Sequence, residues 1–170
     1  MKFVLATLLL SLSALAAAES TPEARLAAAG YTLPPPATPV AAYVTWRRSG
    51  NTLYLSGHGE CRKDFTRGKV GKELSLEEGY AAAQRVGLCM LSTIKSAVGE
   101  LSAVKQVLRI DGMVNAVEGF GDQPEVINGF SDLFVVAFGD AGLGARAAVG
   151  MGSLPRNIPV EISAIIELND

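Results

Sequence analysis

The stretch Ala145–Ile162, ARAAVGMGSLPRNIPVEI, constrains the fold more than any other. It reads as two short strands, each carrying one unexpected charge. Ala145, Ala147, Val149 and Met151 alternate with Arg146, Ala148, Gly150 and Gly152. Val160, Ile162, Ala164 and Ile166 alternate with Glu161, Ser163, Ile165 and Glu167. Successive strand side chains point to opposite faces, so Arg146 and Glu161 lie opposite these apolar sets. The small neighbours of Arg146 leave room for a ligand or another chain. A charge in that setting is paired within the protein, kept to bind something, or simply exposed on an edge strand.

The elements upstream set the class. Thr21-Pro22 has the form of an N-cap followed by proline at the first helical position, with the helix ending by Gly30. Pro34-Pro35-Pro36 forces an extended connector. Tyr43–Arg48 and Thr52–Ser56 read as a hairpin turning at Ser49-Gly50-Asn51. Gly57–Lys72 is polar and glycine-containing and reads as a surface loop. Ser75-Leu76-Glu77-Glu78 is a capping box, and the helix behind it carries Tyr80, Ala83, Gly87, Met90, Ile94 and Ala97 on one stripe. Val104–Asn115 follows as a strand, with Leu108, Ile110 and Val114 on one face and Val107, Arg109, Asp111 and Met113 on the other. Pro124 opens a second helix with the stripe Ile127, Phe130, Phe134 and Phe138, and Gly139 lies past its end. The order β-β-α-β-α-β-β predicts an α+β fold, a mixed sheet with two main helices on one face.

The N-terminus reads as an address rather than as structure. Lys2, the apolar run Phe3–Leu15 and Ala16-Ala17-Ala18 form a secretory signal peptide, too short to span a membrane. The expected organisation is a signal peptide at 1–18, a helix and connector at 19–38 and one domain at 39–170. Removing residues 1–18 from the 170 leaves 152, enough for one ordinary core. Losing Lys2 takes the 15 basic residues to 14 against 17 acidic, which opposes attraction to nucleic acid or anionic membranes. Trp46-Arg47-Arg48 is too short an aromatic-basic patch to reverse that. Export permits a disulfide between Cys61 and Cys89, but one reads as a loop residue and the other as lying on the side of a helix, which favours two separate thiols. With one histidine, His58, and two cysteines, no metal-ligand spacing exists, and no cofactor is expected.

The longer run Ala145-Arg146-Ala147, Val149, Gly152, Leu154-Pro155 and Val160-Glu161-Ile162 resembles the signature of the Rid family, also called YjgF or L-PSP-like, the reactive intermediate deaminases. The likeness extends from about Pro39 to Leu168. Two positions depart from the family pattern: Gly144, where Pro or Ala is usual, and Ala148, often Cys in the deaminases. The Cys61–Lys72 insertion is similar to the branch labelled chorismate-mutase-like or endoribonuclease. The resemblance implies a chorismate-mutase-like fold and a homotrimer with sites between subunits. Val107, Met113 and Ile165, on faces the helices leave uncovered, are compatible with such packing.

It also implies roles. Arg146 would clamp the carboxylate of a 2-imino or 2-enamino acid through its planar fork, unless it is tied up in an internal ion pair. Glu161 would position or polarise the attacking water, unless it only accepts backbone hydrogen bonds. Tyr43, Ser56-Gly57 and Asn128 match lesser binding positions that can hydrogen-bond a small polar ligand. His58, where deaminases commonly have Gln, reads as a loop histidine or as a titrating group near the site. The leading expectation is an exported, periplasmic or secreted, hydrolase giving 2-keto acids and ammonia. The alternatives are a non-catalytic protein that binds small carboxylates in the same pocket and, with less support, an endoribonuclease.

Overall fold

The structure, a computed structural model, describes residues 21–170. The signal peptide expected at 1–18 lies outside them. Helix α1 (Pro22–Ala28) starts where Thr21 caps the Ala24 N–H through Oγ1. After the proline connector come strands β1 (Trp46–Ser49) and β2 (Thr52–His58), joined by a tight turn in which Gly50 has φ +56°. Helix α2 (Leu76–Val98) opens with the capping box: the Ser75 hydroxyl accepts from the Glu78 N–H, and the Glu78 carboxylate accepts from the Ser75 N–H. Strand β3 (Val104–Asn115), helix α3 (Gln123–Phe138), strand β4 (Ala145–Met151) and strand β5 (Val160–Leu168) complete the order.

The sheet runs β1-β2-β5-β3-β4, with β3 and β4 parallel and every other pair antiparallel. A parallel pair needs a long crossover, which α3 supplies. α2 and α3 cover one face. Their stripes, including Met90, Ile94, Ile127, Phe130 and Phe134, bury against Leu53, Ile110, Val114, Ile162 and Ile166 of the sheet. The expected α+β architecture is therefore the one observed. The other face of the sheet is left open.

Four expectations are corrected. Regular pairing of the first strand starts at Trp46 rather than Tyr43, because β2 bulges between Leu55 and His58 and the ladder runs out there. The face assignment in β3 is inverted at one point: Val107 is buried and Leu108 exposed. A register shift between Val107 and Arg109 adds one residue to β3 and swaps which side chains face inward. The segment after β2 is no plain surface loop, since Phe65 and Val70 are buried in it. Finally, Cys61 and Cys89 are joined in a disulfide, not held as separate thiols. The Cys61 loop folds back over the flank of α2, an approach that sequence spacing does not reveal.

Candidate functional site

Glu161 sits on β5, on the open face, with its side chain against Gly57 of β2. A Cβ at Gly57 would overlap Glu161 Oε1, so only glycine lets the carboxylate lie there. The carboxylate is half-buried and, among the described residues, pairs with no cation. Burial pushes its pKa up from the ordinary carboxylate value. It lines a cavity of about 380 Å³ together with Tyr43, Gly57, His58, Phe65 and Arg156.

The bulge at Ser56-Gly57 shapes this end of β2. It turns His58 inward, to the same face as Leu55. The His58 Nδ1 donates to the Ser56 carbonyl at 2.6 Å, and Nε2 lies 3.0 Å from Thr93 Oγ1 of α2. Burial lowers the pKa of His58, partly opposed by the bond to Ser56. The residue is a strand-end core histidine at the back of the cavity, not a loop histidine. Ser56 uses its hydroxyl on the Val44 carbonyl at 2.6 Å, which anchors the segment bearing Tyr43. It therefore acts on the cavity through Tyr43, whereas Tyr43 and Gly57 line it directly.

Arg146 lies elsewhere. On edge strand β4 it pairs across from Ile110, whose side chain is buried beneath the helices. Its guanidinium therefore points toward α3. Nη1 donates to Asn128 Oδ1 at 2.8 Å and to Ser131 Oγ at 3.0 Å, and Nη2 reaches the Pro124 carbonyl at 3.4 Å. All three acceptors are neutral. Among the described residues Arg146 makes no ion pair, so the internal carboxylate partner considered for it is not there. The space beside Gly150 is filled by Gln123 of the same chain. The apolar set of β4, by contrast, faces outward: Val149 is 47 % exposed.

Arg146 and Glu161 thus lie on opposite faces of one sheet. Met113 of β3 is flanked by Glu161 on one side and Val149 on the other, which marks the open face. The structure brings Asn128 to Arg146, and Tyr43 and Gly57 to Glu161, but it does not bring the two groups together within one chain. Sequence reasoning missed Ser131, although its i, i+3 spacing from Asn128 puts both on one face of α3. It also missed Phe65 and Arg156 in the cavity, which nothing local announces. Among the described residues, no group of three or more His, Cys, Asp and Glu side chains could hold a metal ion.

The family model described as "YjgF/chorismate_mutase-like, putative endoribonuclease" matches residues 23–168. The chain belongs to this family. The YjgF-family match accords with the observed α+β fold and its five-stranded mixed sheet. Over 154 residues the chain is 38 % identical to Protein TCP17 of Trypanosoma cruzi, covering 86 % of this chain and 94 % of that protein. A crystal structure of a protein of unknown function from Agrobacterium tumefaciens is similar at 39 % identity and TM-score 0.81, covering 87 % of this chain and 92 % of that one. A putative endoribonuclease from Shewanella oneidensis is similar at 32 % identity and TM-score 0.82, with 87 % and 99 % covered.

Proposed function

We propose that the protein hydrolyses small 2-imino or 2-enamino acids to 2-keto acids and ammonia, at a site assembled from Glu161 of one copy and Arg146 of another. One observation carries the reading: two charged groups suited to one substrate sit on opposite sheet faces, each without an ionic partner among the described residues. A second copy laid on the open face brings the two halves together. Exposed Tyr54 and Val149 on that face supply apolar surface for such packing. We infer a homotrimer on this basis.

In this scheme the Arg146 fork holds the substrate carboxylate, its orientation set by Asn128 and Ser131. Glu161 takes one proton from water as the oxygen adds to the C=N carbon, and the imine nitrogen gains a proton. The carbinolamine then collapses: its hydroxyl proton passes by way of Glu161 to the amino nitrogen, C=O forms, the C–N bond breaks and ammonia leaves. A carboxylate whose pKa is raised by burial suits this shuttle, because it is a stronger proton acceptor than an ordinary carboxylate.

A ribonuclease reading has less support. His58 is the chain's single histidine, and both its ring nitrogens are engaged inside the fold. The Cys61–Cys89 bridge supports export to an oxidising compartment, with the mature chain starting near Glu19. The decisive assay generates 2-iminobutanoate in situ and measures keto-acid release above the spontaneous rate. Acceleration lost in both Arg146→Lys and Glu161→Gln supports the proposal. No acceleration by the wild type rejects it, and retained binding of 2-oxobutanoate would then favour a non-catalytic carboxylate-binding protein.

A further inference from the structure

The Glu161 cavity has a cation of its own that the scheme above does not use. Arg156 lines the cavity, and its guanidinium carbon lies 4.1 Å from the centre of the Phe65 ring. Arg67 approaches the same ring at 4.5 Å. Phe65 is buried, although it belongs to the polar segment between β2 and α2. Among the described residues neither arginine pairs with a carboxylate. Glu60, the other acid lining the cavity, is already held by Arg62 at 2.8 Å and Arg85 at 2.9 Å. Arg156, without a carboxylate partner among the described residues, brings a positive charge to the cavity lining, in a chain of net charge −2.

The backbone carrying Arg156 is costly to hold. Arg156 and Asn157 both have φ +58°, two consecutive non-glycine residues in the left-handed region. A network over-determines this turn. Asn115, itself buried, donates to Asn157 Oδ1 at 3.0 Å and to the Ile158 carbonyl at 3.2 Å. Lys69 Nζ donates to Asn115 Oδ1 at 2.7 Å and to the Gly152 carbonyl at 2.8 Å, while the Gly68 N–H binds the Asn157 carbonyl at 2.8 Å. The strained turn is therefore fixed from the same segment that supplies Phe65 and Arg67. Ring and turn together aim one guanidinium at the cavity.

We infer that Arg156, supported by Phe65 and Arg67, is a second anion site in the Glu161 cavity, and that the substrates are 2-imino dicarboxylic acids. The substrate class rests on the imine-hydrolysis reading; the anion site rests on the geometry alone. Arg146 would take the carboxylate next to the imine carbon, and Arg156 the distal one. Chemistry at the C=N carbon is the same as for the monocarboxylic substrates.

The test compares 2-iminoglutarate with 2-iminobutanoate, each made in situ from its amino acid by an amino-acid oxidase. Wild type is expected to favour the dicarboxylate in kcat/KM by about tenfold or more, the worth of one charge-assisted contact. Arg156→Gln should abolish that preference by lowering kcat/KM for 2-iminoglutarate at least tenfold more than for 2-iminobutanoate, while Arg156→Lys restores part of it. Arg156→Asn, a residue tolerant of positive φ, repeats the test without disturbing the turn. Equal rates on the two substrates, or an equal loss on both in Arg156→Gln, would overturn the second site and leave the hydrolase reading standing. If neither imine is hydrolysed, the hydrolase reading fails and calorimetry decides the site. Tighter binding of 2-oxoglutarate than of 2-oxobutanoate, lost in Arg156→Gln, upholds it; no discrimination overturns it.

Discussion

Gly57 and Glu161 are in direct contact across the β2–β5 pair, and the contact exists because Gly57 has no Cβ. The bulge just before the end of β2 brings the glycine opposite the carboxylate. The position of the proposed general base therefore depends on a neighbouring strand that contributes no side chain.

Gly57→Ala follows as a probe of position. The Cβ forces the Glu161 carboxylate out of its place, and misplacing a catalytic group by a fraction of an ångström is damaging. Imine-hydrolysis kcat/KM should fall by about tenfold to a hundredfold. The fold should survive, since the side chain that must move is half-exposed. Steady-state kinetics with a melting curve on the same sample checks this, and unchanged kinetics would remove Glu161 from the reaction.

Arg146→Lys keeps the charge but loses the fork that reaches Asn128 and Ser131. A loss of about 1.5–3 kcal/mol is expected, about ten- to 150-fold in kcat/KM. Asn128→Ala leaves the charge and frees the guanidinium, so the expected effect is mainly a raised KM. A rise in KM of under twofold would show that the orientation is set elsewhere.

The Glu161 pKa is raised, so its protonated form persists to higher pH than an ordinary carboxylate. If it must be ionised to take a proton from water, the acid limb of the kcat/KM profile should lie above the usual carboxylate range and vanish in Glu161→Gln. A profile flat down to the ordinary carboxylate range would contradict that role.

Stability should respond to His58 with a definite sign. Its pKa is lowered on folding, so the unfolded chain binds more protons in the window between the folded value and the ordinary histidine value. Stability is complete above that window and lost as pH falls through it. Glu161 works the other way: its folded pKa is raised, so stability it contributes at low pH is lost as pH rises through that value. Urea denaturation at about pH 7.5 and about pH 5 should show the His58 loss, diminished in His58→Gln. An identical pH slope in the variant would assign the loss to other groups.

The disulfide ties the Cys61 loop to α2 across 28 positions. Replacing both cysteines by alanine should cost about 2–4 kcal/mol and lower Tm. The loop carries Phe65, so selectivity at Arg156 should weaken with it. Equal Tm for the oxidised and the fully reduced protein would show the bridge to be dispensable.

Much of this fold was written locally. The capping box at Ser75, the Phe130–Phe134 stripe, Pro124 at a helix start and the alternation around Glu161 each depend on neighbours a few residues away, and each appears where the sequence placed it. The motif that singles out Arg146 and Glu161 is local in the same way. What the tertiary structure alone decided is how distant segments meet. The bulge that exchanges Val107 for Leu108 is an insertion relative to a partner strand, invisible without the partner. Arg146 turns toward α3 because β4 pairs with β3 in a register that places it across from buried Ile110, and alternation cannot say which face a helix covers. Cys61 meets Cys89, and Arg156 meets Phe65, only after the chain folds back on itself. Periodicity encodes a face; register, bulges and loop return decide what that face confronts, because they depend on contacts between residues far apart in the chain.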